Sequence, residues 1–155
     1  MNQQRDNEKL MFLINISDND LVKFCSTSKD FRKICYEPPF SEALFHERSE
    51  RYIPELIQYK LPGMKWMDFY IRVRRMMKEE LNENLVDRYT KNGNLLELKI
   101  CIEEYNLLTD EDYVDLAVWN DHENTIRYLS TLSPPILPTV YGANGAAGNG
   151  HINIL

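Results

Sequence analysis

Three stretches in the second half of the chain lie over one another without a gap, and this internal repeat constrains the fold more than any other feature. Val86, Val114 and Ala143 fall in one column, and Asp87, Asp115 and Asn144 in the next. Tyr89, Ala117 and Ala146 share a third, Asn92, Asn120 and Asn149 a fourth, and Gly93, Asp121 and Gly150 a fifth. Leu98, Ile126 and Leu155 align further downstream. The columns recur at spacings of 28 and then 29 residues, in the range of helical solenoids. Each copy reads as helix, tight turn, helix. Gly93 and Gly150 stand where the chain reverses and a positive φ is needed, and Asp121 fills that slot with a residue that tolerates it. Ala117, Ala146 and Ala147 are small enough to let neighbouring helices approach. Such a unit cannot bury its apolar face alone and must stack on the next copy.

The first half also reads as short helices. Leu10, Leu13 and Ile14 are spaced i, i+3, i+4 and predict a helix over residues 7–16. Ser17 with Asp20 forms a capping-box-like start for a second helix carrying Leu21, Phe24 and Cys25. Ser26-Thr27-Ser28 breaks that helix, and Phe31, Ile34 and Cys35 mark a third, which Pro38-Pro39 stops. A fourth runs over 40–52 with Leu44, Phe45 and Arg48 along it. Residues 53–64, with Pro54 and Pro62-Gly63, read as a connector. Trp66, Phe69, Tyr70, Val73 and Met77 then predict a helix reaching Leu81. No segment shows the sustained alternation of a strand.

Charge and composition exclude several functions. The 18 Lys and Arg against 24 Asp and Glu leave a net charge of −6, which argues against a duplex nucleic-acid binder. No apolar run approaches the ~20 residues that span a bilayer, and the polar opening lacks a secretory pattern, so the expected location is intracellular. Cys25, Cys35 and Cys101 are odd in number and widely spaced, which predicts reduced core thiols with neither disulfides nor zinc ligation. No G-x-S-x-G, H-E-x-x-H or P-loop occurs, and no catalytic, metal or cofactor residue is assigned. Gly142, Gly145, Gly148 and Gly150 follow no strand and are accounted for by the repeat. The basic run from Arg72 to Lys78 is followed at once by Glu79 and Glu80 and reads as a solvated helix face.

The stretch Ala146-Ala147-Gly148-Asn149-Gly150-His151-Ile152-Asn153-Ile154-Leu155 closely resembles the ankyrin-repeat core A-A-x-x-G-H-x-x-I-L. Asp112 to Ala117 fall where that family carries T-P-L-H-x-A, with Asp115 in the His slot. Upstream, Ile16 to Cys25 followed by Ser28 to Cys35 resembles the F-box pattern, and Lys65-Trp66-Met67-Asp68-Phe69-Tyr70 is similar to the W-K-x-x-Y helix that commonly follows it. The Leu-Pro pair that usually opens an F-box is absent. Large DNA viruses carry many proteins that combine an F-box-like start with ankyrin repeats, and the Asn-rich, degenerate repeats here look like that set. The resemblance implies an all-α protein. A small F-box-like helical module (1–52) is followed by a connector and linking helix (53–82) and a short, truncated ankyrin-repeat solenoid (83–155). Two of its copies are degenerate and the third is incomplete, ending on the apolar Ile152, Ile154 and Leu155.

The function implied is that of an interaction adaptor in the host cytoplasm, monomeric outside its complex. The module would dock on a Skp-type adaptor of a cullin-RING ubiquitin ligase, through Leu10, Leu13, Ile14, Leu21, Phe24 and Phe31. A helical trio this small leaves apolar surface for a partner to cover. The other reading packs the same residues on the helix that starts at Trp66. The repeats would hold a target protein through Asp110, Asp112, Tyr113, Trp119, Asn120 and Asp121. Trp119 is read either as a contact or as packing on an adjoining repeat, and the acidic tip before Tyr113 either as a contact or as a helix cap. A plain ankyrin scaffold without a ligase role, or a decayed paralogue, is the alternative.

Overall fold

The computed structural model describes residues 2–151 and 153, and among these it is helical with no strand. The apolar residues Ile152, Ile154 and Leu155, the last of them the third-copy member of the final aligned column, lie outside the described residues. The chain divides into two compact units, Met1–Arg75 and Met76–Leu155.

The first unit contains α1 (Asn2–Asn15), α2 (Asp18–Thr27), α3 (Lys29–Tyr36), α4 (Phe40–Tyr52), a 3₁₀ helix (Pro54–Tyr59) and most of α5 (Trp66–Met76). Ser17 caps α2: its hydroxyl oxygen accepts the Asp20 N–H (3.1 Å) and its O–H donates to Asp20 Oδ2 (2.9 Å). α1 starts five residues before the apolar stripe predicts, and within the added turns Asp6 pairs with Lys33 of α3 (3.4 Å). The expected connector is not a linker. Ile53, Leu56 and Tyr59 are buried, so the 3₁₀ segment belongs to the core of the first unit. α5 stops at Met76, short of Leu81. The Glu79 N–H bonds to the Met76 carbonyl and closes a turn, and Asn82 then caps the next helix through the Leu85 N–H (3.1 Å).

The thiol expectation is corrected. Ser28 ends α2 and starts α3, so the two helices fold back on each other and Cys25 joins Cys35 in a disulfide, with the Cα atoms 5.8 Å apart. Sequence spacing hid this because the pair meets only through the hairpin. Cys101 alone is a free, buried thiol. Closing a loop of this length stabilises a fold by about 2–3 kcal/mol in the chain-entropy account. Denaturant unfolding with and without a reducing agent is expected to differ by that amount.

At the centre of the first unit lies Arg48, which is 1% exposed. Its Nη1 donates to the carbonyls of Leu13 (2.6 Å), Ile14 (3.2 Å) and Ile16 (2.9 Å), and its Nη2 to Asp18 Oδ1 (2.7 Å). Asp18 also accepts the Tyr70 hydroxyl (2.6 Å) and Arg74 Nε (2.7 Å). The guanidinium thus satisfies carbonyls at the end of α1 that no further helical turn can reach.

The second unit holds α6 (Glu83–Asn92), α7 (Leu95–Glu103), α8 (Glu111–Trp119), α9 (Glu123–Ser130) and α10 (Val140–Gly148). α6, α8 and α10 lie side by side, α8 in the middle. The repeat register is visible in the backbone. Gly93, Asp121 and Gly150 all take positive φ, at 69°, 59° and 77°. In each copy the next residue's N–H returns to the inner helix: Asn94 to Tyr89, His122 to Ala117 and His151 to Ala146. The N-caps Asn82, Asp110 and Thr139 follow the same spacing.

Buried carboxylates link one copy to the next. Asp87 Oδ1 accepts the Thr109 hydroxyl and the Asp110 N–H, both at 3.1 Å. Asp115 Oδ1 accepts the Thr139 N–H at 2.7 Å, and its Oδ2 the Thr139 hydroxyl. Each aspartate therefore binds the N–H of the residue that caps the following inner helix. Gly142 makes room for Asp115, since a Cβ there would sit 2.1 Å from Oδ1.

Candidate interaction surfaces

In the first unit the sequence-predicted docking residues separate into two groups. Leu13, Ile14 and Leu21 are buried core and offer no surface, which corrects the expectation that they face a partner. Leu10, Phe24 and Phe31 are half-buried. The exposed apolar surface comes from their neighbours. Met11 is 58% and Phe12 43% exposed. Phe12, Phe24 and Phe31 form a ring triad with centroids 5.2, 5.8 and 5.4 Å apart, in edge and tilted contacts. The i, i+3, i+4 reading missed Phe12 because it lies off the stripe that Leu10, Leu13 and Ile14 define. An aromatic off its helix's core stripe was the available signal.

In the second unit several predicted contact residues have local duties. Asp110 caps α8 by accepting the Asp112 N–H (3.0 Å), so this part of the acidic tip is a helix cap. Asn120 Nδ2 donates to the Leu116 carbonyl (2.8 Å). Asp121 holds the left-handed turn, with Oδ1 3.7 Å from His151 Nδ1. Trp119 packs on the adjoining copy, one of the two readings given for it. Its indole packs on Gly145 of α10, where a Cβ would lie 1.8 Å from Nε1, and the Nε1–H reaches the Tyr141 carbonyl at 3.4 Å. It remains 42% exposed. Asp112 is exposed and Tyr113 half-buried beside it. Among the described residues Val140 and Tyr141, which sequence reasoning passed over, are the most exposed large apolar side chains, at 74% and 78%.

The remaining reactive groups have structural explanations. His46, Glu47 and Glu50 of α4 bring potential ligand atoms within 4.8 Å of one another. Glu50 Oε1 lies 3.6 Å from His46 Nε2 as an ordinary i, i+4 pair, and the His46 ring rests edge-on against Trp66, 4.4 Å between centroids. Burial, with Glu97 nearby, pushes the Cys101 thiol up to about 11, so it is not an activated nucleophile. No helix among the described residues is long and apolar enough to cross a membrane. No protein-family model matches the chain, and no curated protein or solved structure is significantly similar to it.

Proposed function

We propose that the protein is an interaction adaptor, in which an F-box-like first unit docks on a Skp-type adaptor of a cullin-RING ubiquitin ligase and ankyrin-like repeats recruit a target protein. The observation that carries this reading is the exposed Met11–Phe12 edge over the Phe12–Phe24–Phe31 triad. The first unit buries its own core yet keeps this apolar edge in solvent, as a docking surface requires. The stacked copies with positive-φ turns support the second half of the proposal. No chemistry is assigned to the chain. The burial of Leu13, Ile14 and Leu21 favours the alternative to the extent that these helices close on themselves, as in a scaffold whose first unit has no ligase partner.

Co-elution of the full chain with a purified Skp-type adaptor in size-exclusion chromatography tests the reading. A stoichiometric complex is expected, and Phe12→Asp is expected to weaken it at least about a hundredfold, the range of a buried aromatic anchor. Separate elution of both folded proteins would leave the scaffold reading in its place.

A further inference from the structure

The positions that open the inner helices form a band across three copies: Glu83 and Asn84 in α6, Glu111 and Asp112 in α8, Val140 and Tyr141 in α10. All six are exposed. Exposure at this rim therefore belongs to the register and is not peculiar to one copy. The band changes character along the stack. It is acidic in α6 and α8 and apolar in α10, where Tyr141 adjoins the half-covered Trp119. Among the described residues Glu83, Glu111 and Asp112 take part in no ion pair. The two units also differ in charge. The second has 5 Lys and Arg against 13 Asp and Glu, a net −8, and the first has 13 against 11, a net +2. The basic side chains on the exposed side of α6 are Lys91 and Arg88, and Arg88 is already paired with Glu79.

From this pattern we infer that the rim of α6, α8 and α10 is the target-docking surface, and that its occupant is an extended segment with two basic residues followed by an apolar one. This rests on the reading of the second unit as a recruiting module. Charge complementarity selects Lys or Arg opposite Glu83 and opposite Glu111–Asp112, and Val140, Tyr141 and Trp119 select an aliphatic or aromatic side chain. Neighbouring helices are about 8–10 Å apart and an extended chain advances about 3.3 Å per residue, so each inner helix takes about three residues. The recognised spacing is a basic residue, a second about three positions on, and the apolar residue about three beyond that.

A labelled peptide with two arginines and a leucine at that spacing, in either chain direction on a Gly-Ser background, is the probe. Fluorescence anisotropy with the full chain at low salt is expected to give saturable one-to-one binding. Affinity is expected to fall at least about tenfold in the Glu111→Lys, Asp112→Lys double variant, and equally when the peptide's arginines become glutamates. Both substituted side chains are exposed but lie in the first turn of α8, where the helix dipole favours acids, so the variant is expected to unfold somewhat before the parent and its binding is measured well below that midpoint. Tyr141→Ala, a second and uncharged variant, is expected to erase the preference for leucine over glycine. Equal binding by parent and both variants, no saturation, or equal binding of the glutamate peptide overturns the inference. Adaptor co-elution on the same samples separates the two readings. Loss of peptide binding with the adaptor retained counts against the rim alone, and the converse against the ligase docking alone.

Discussion

Replacing Arg48 with alanine is expected to cost about 3–5 kcal/mol of stability, enough to unfold much of the first unit at ambient temperature. The side chain is buried, and its removal leaves the carbonyls of Leu13 and Ile16 without a partner, while that of Ile14 keeps the Tyr52 hydroxyl (3.1 Å). It also leaves Asp18 with Tyr70 and Arg74 alone. Denaturant unfolding followed by circular dichroism measures the loss. A change under 1 kcal/mol would mean that the guanidinium does not organise the end of α1. The same centre sets a pH dependence. Burial alone would raise the Asp18 carboxyl, but hydrogen bonds from Tyr70, Arg74 and Arg48 outweigh it and hold the group below its ordinary 3.8. Its contribution is therefore complete above the unfolded value and is lost as pH falls through the lower folded value. Tyr70 acts at the other end: burial, then its bond to Asp18, pushes it up to about 12. The neutral phenol stabilises the fold below its unfolded value near 10, and that contribution drains as pH rises from there toward about 12. Asp18→Asn is expected to flatten the acid limb.

The second large effect is expected at the joint between copies. Asp115→Ala strands the Thr139 N–H and hydroxyl and is expected to cost about 2–3 kcal/mol. Asp87→Ala, which strands the Thr109 hydroxyl and the Asp110 N–H, should behave alike. Asp115→Asn keeps an acceptor for the N–H, and the Thr139 hydroxyl can rotate to accept from the amide, so a loss of about 1 kcal/mol is expected. The third copy carries Asn144 in the same column. Urea unfolding of the three variants checks the order, and a double-mutant cycle with Thr139→Ala isolates the bond. Additive losses in that cycle would show that the carboxylate does not act through the Thr139 hydroxyl, and would leave the bond from the Thr139 N–H as its contribution.

The parts of this molecule that are local in sequence were legible. The turns at Gly93, Asp121 and Gly150 require positive φ, and that requirement restricts residue type strongly enough to show through degenerate copies. The cap at Ser17 and the bounds of α4 follow from residues within a few positions of each other. The Arg48 centre was not legible, because its polar partners lie between 22 and 35 residues away and an arginine on an amphipathic helix ordinarily points to solvent. The Cys25–Cys35 pairing failed for a related reason, since it depends on how sharply Ser28 reverses the chain. The docking residues expected from the sequence are partly core residues, because apolar periodicity finds the core. Leu13, Ile14 and Leu21 are periodic and therefore inside, and Met11 and Phe12 break the period and stand outside. Val140 and Tyr141 carried no signal of their own in the sequence, and their exposure follows from the same rim position that Glu111 and Asp112 occupy one copy earlier.

The proposed adaptor role rests on the exposed edge of the first unit, and calorimetric titration of a purified Skp-type adaptor into the full folded chain tests it most directly. The account predicts one-to-one binding with a negative heat-capacity change from burial of the Met11–Phe12 edge, lost in Phe12→Asp at unchanged helicity. Absence of binding heat across temperatures with a folded parent chain, or equal binding by Phe12→Asp, would contradict it.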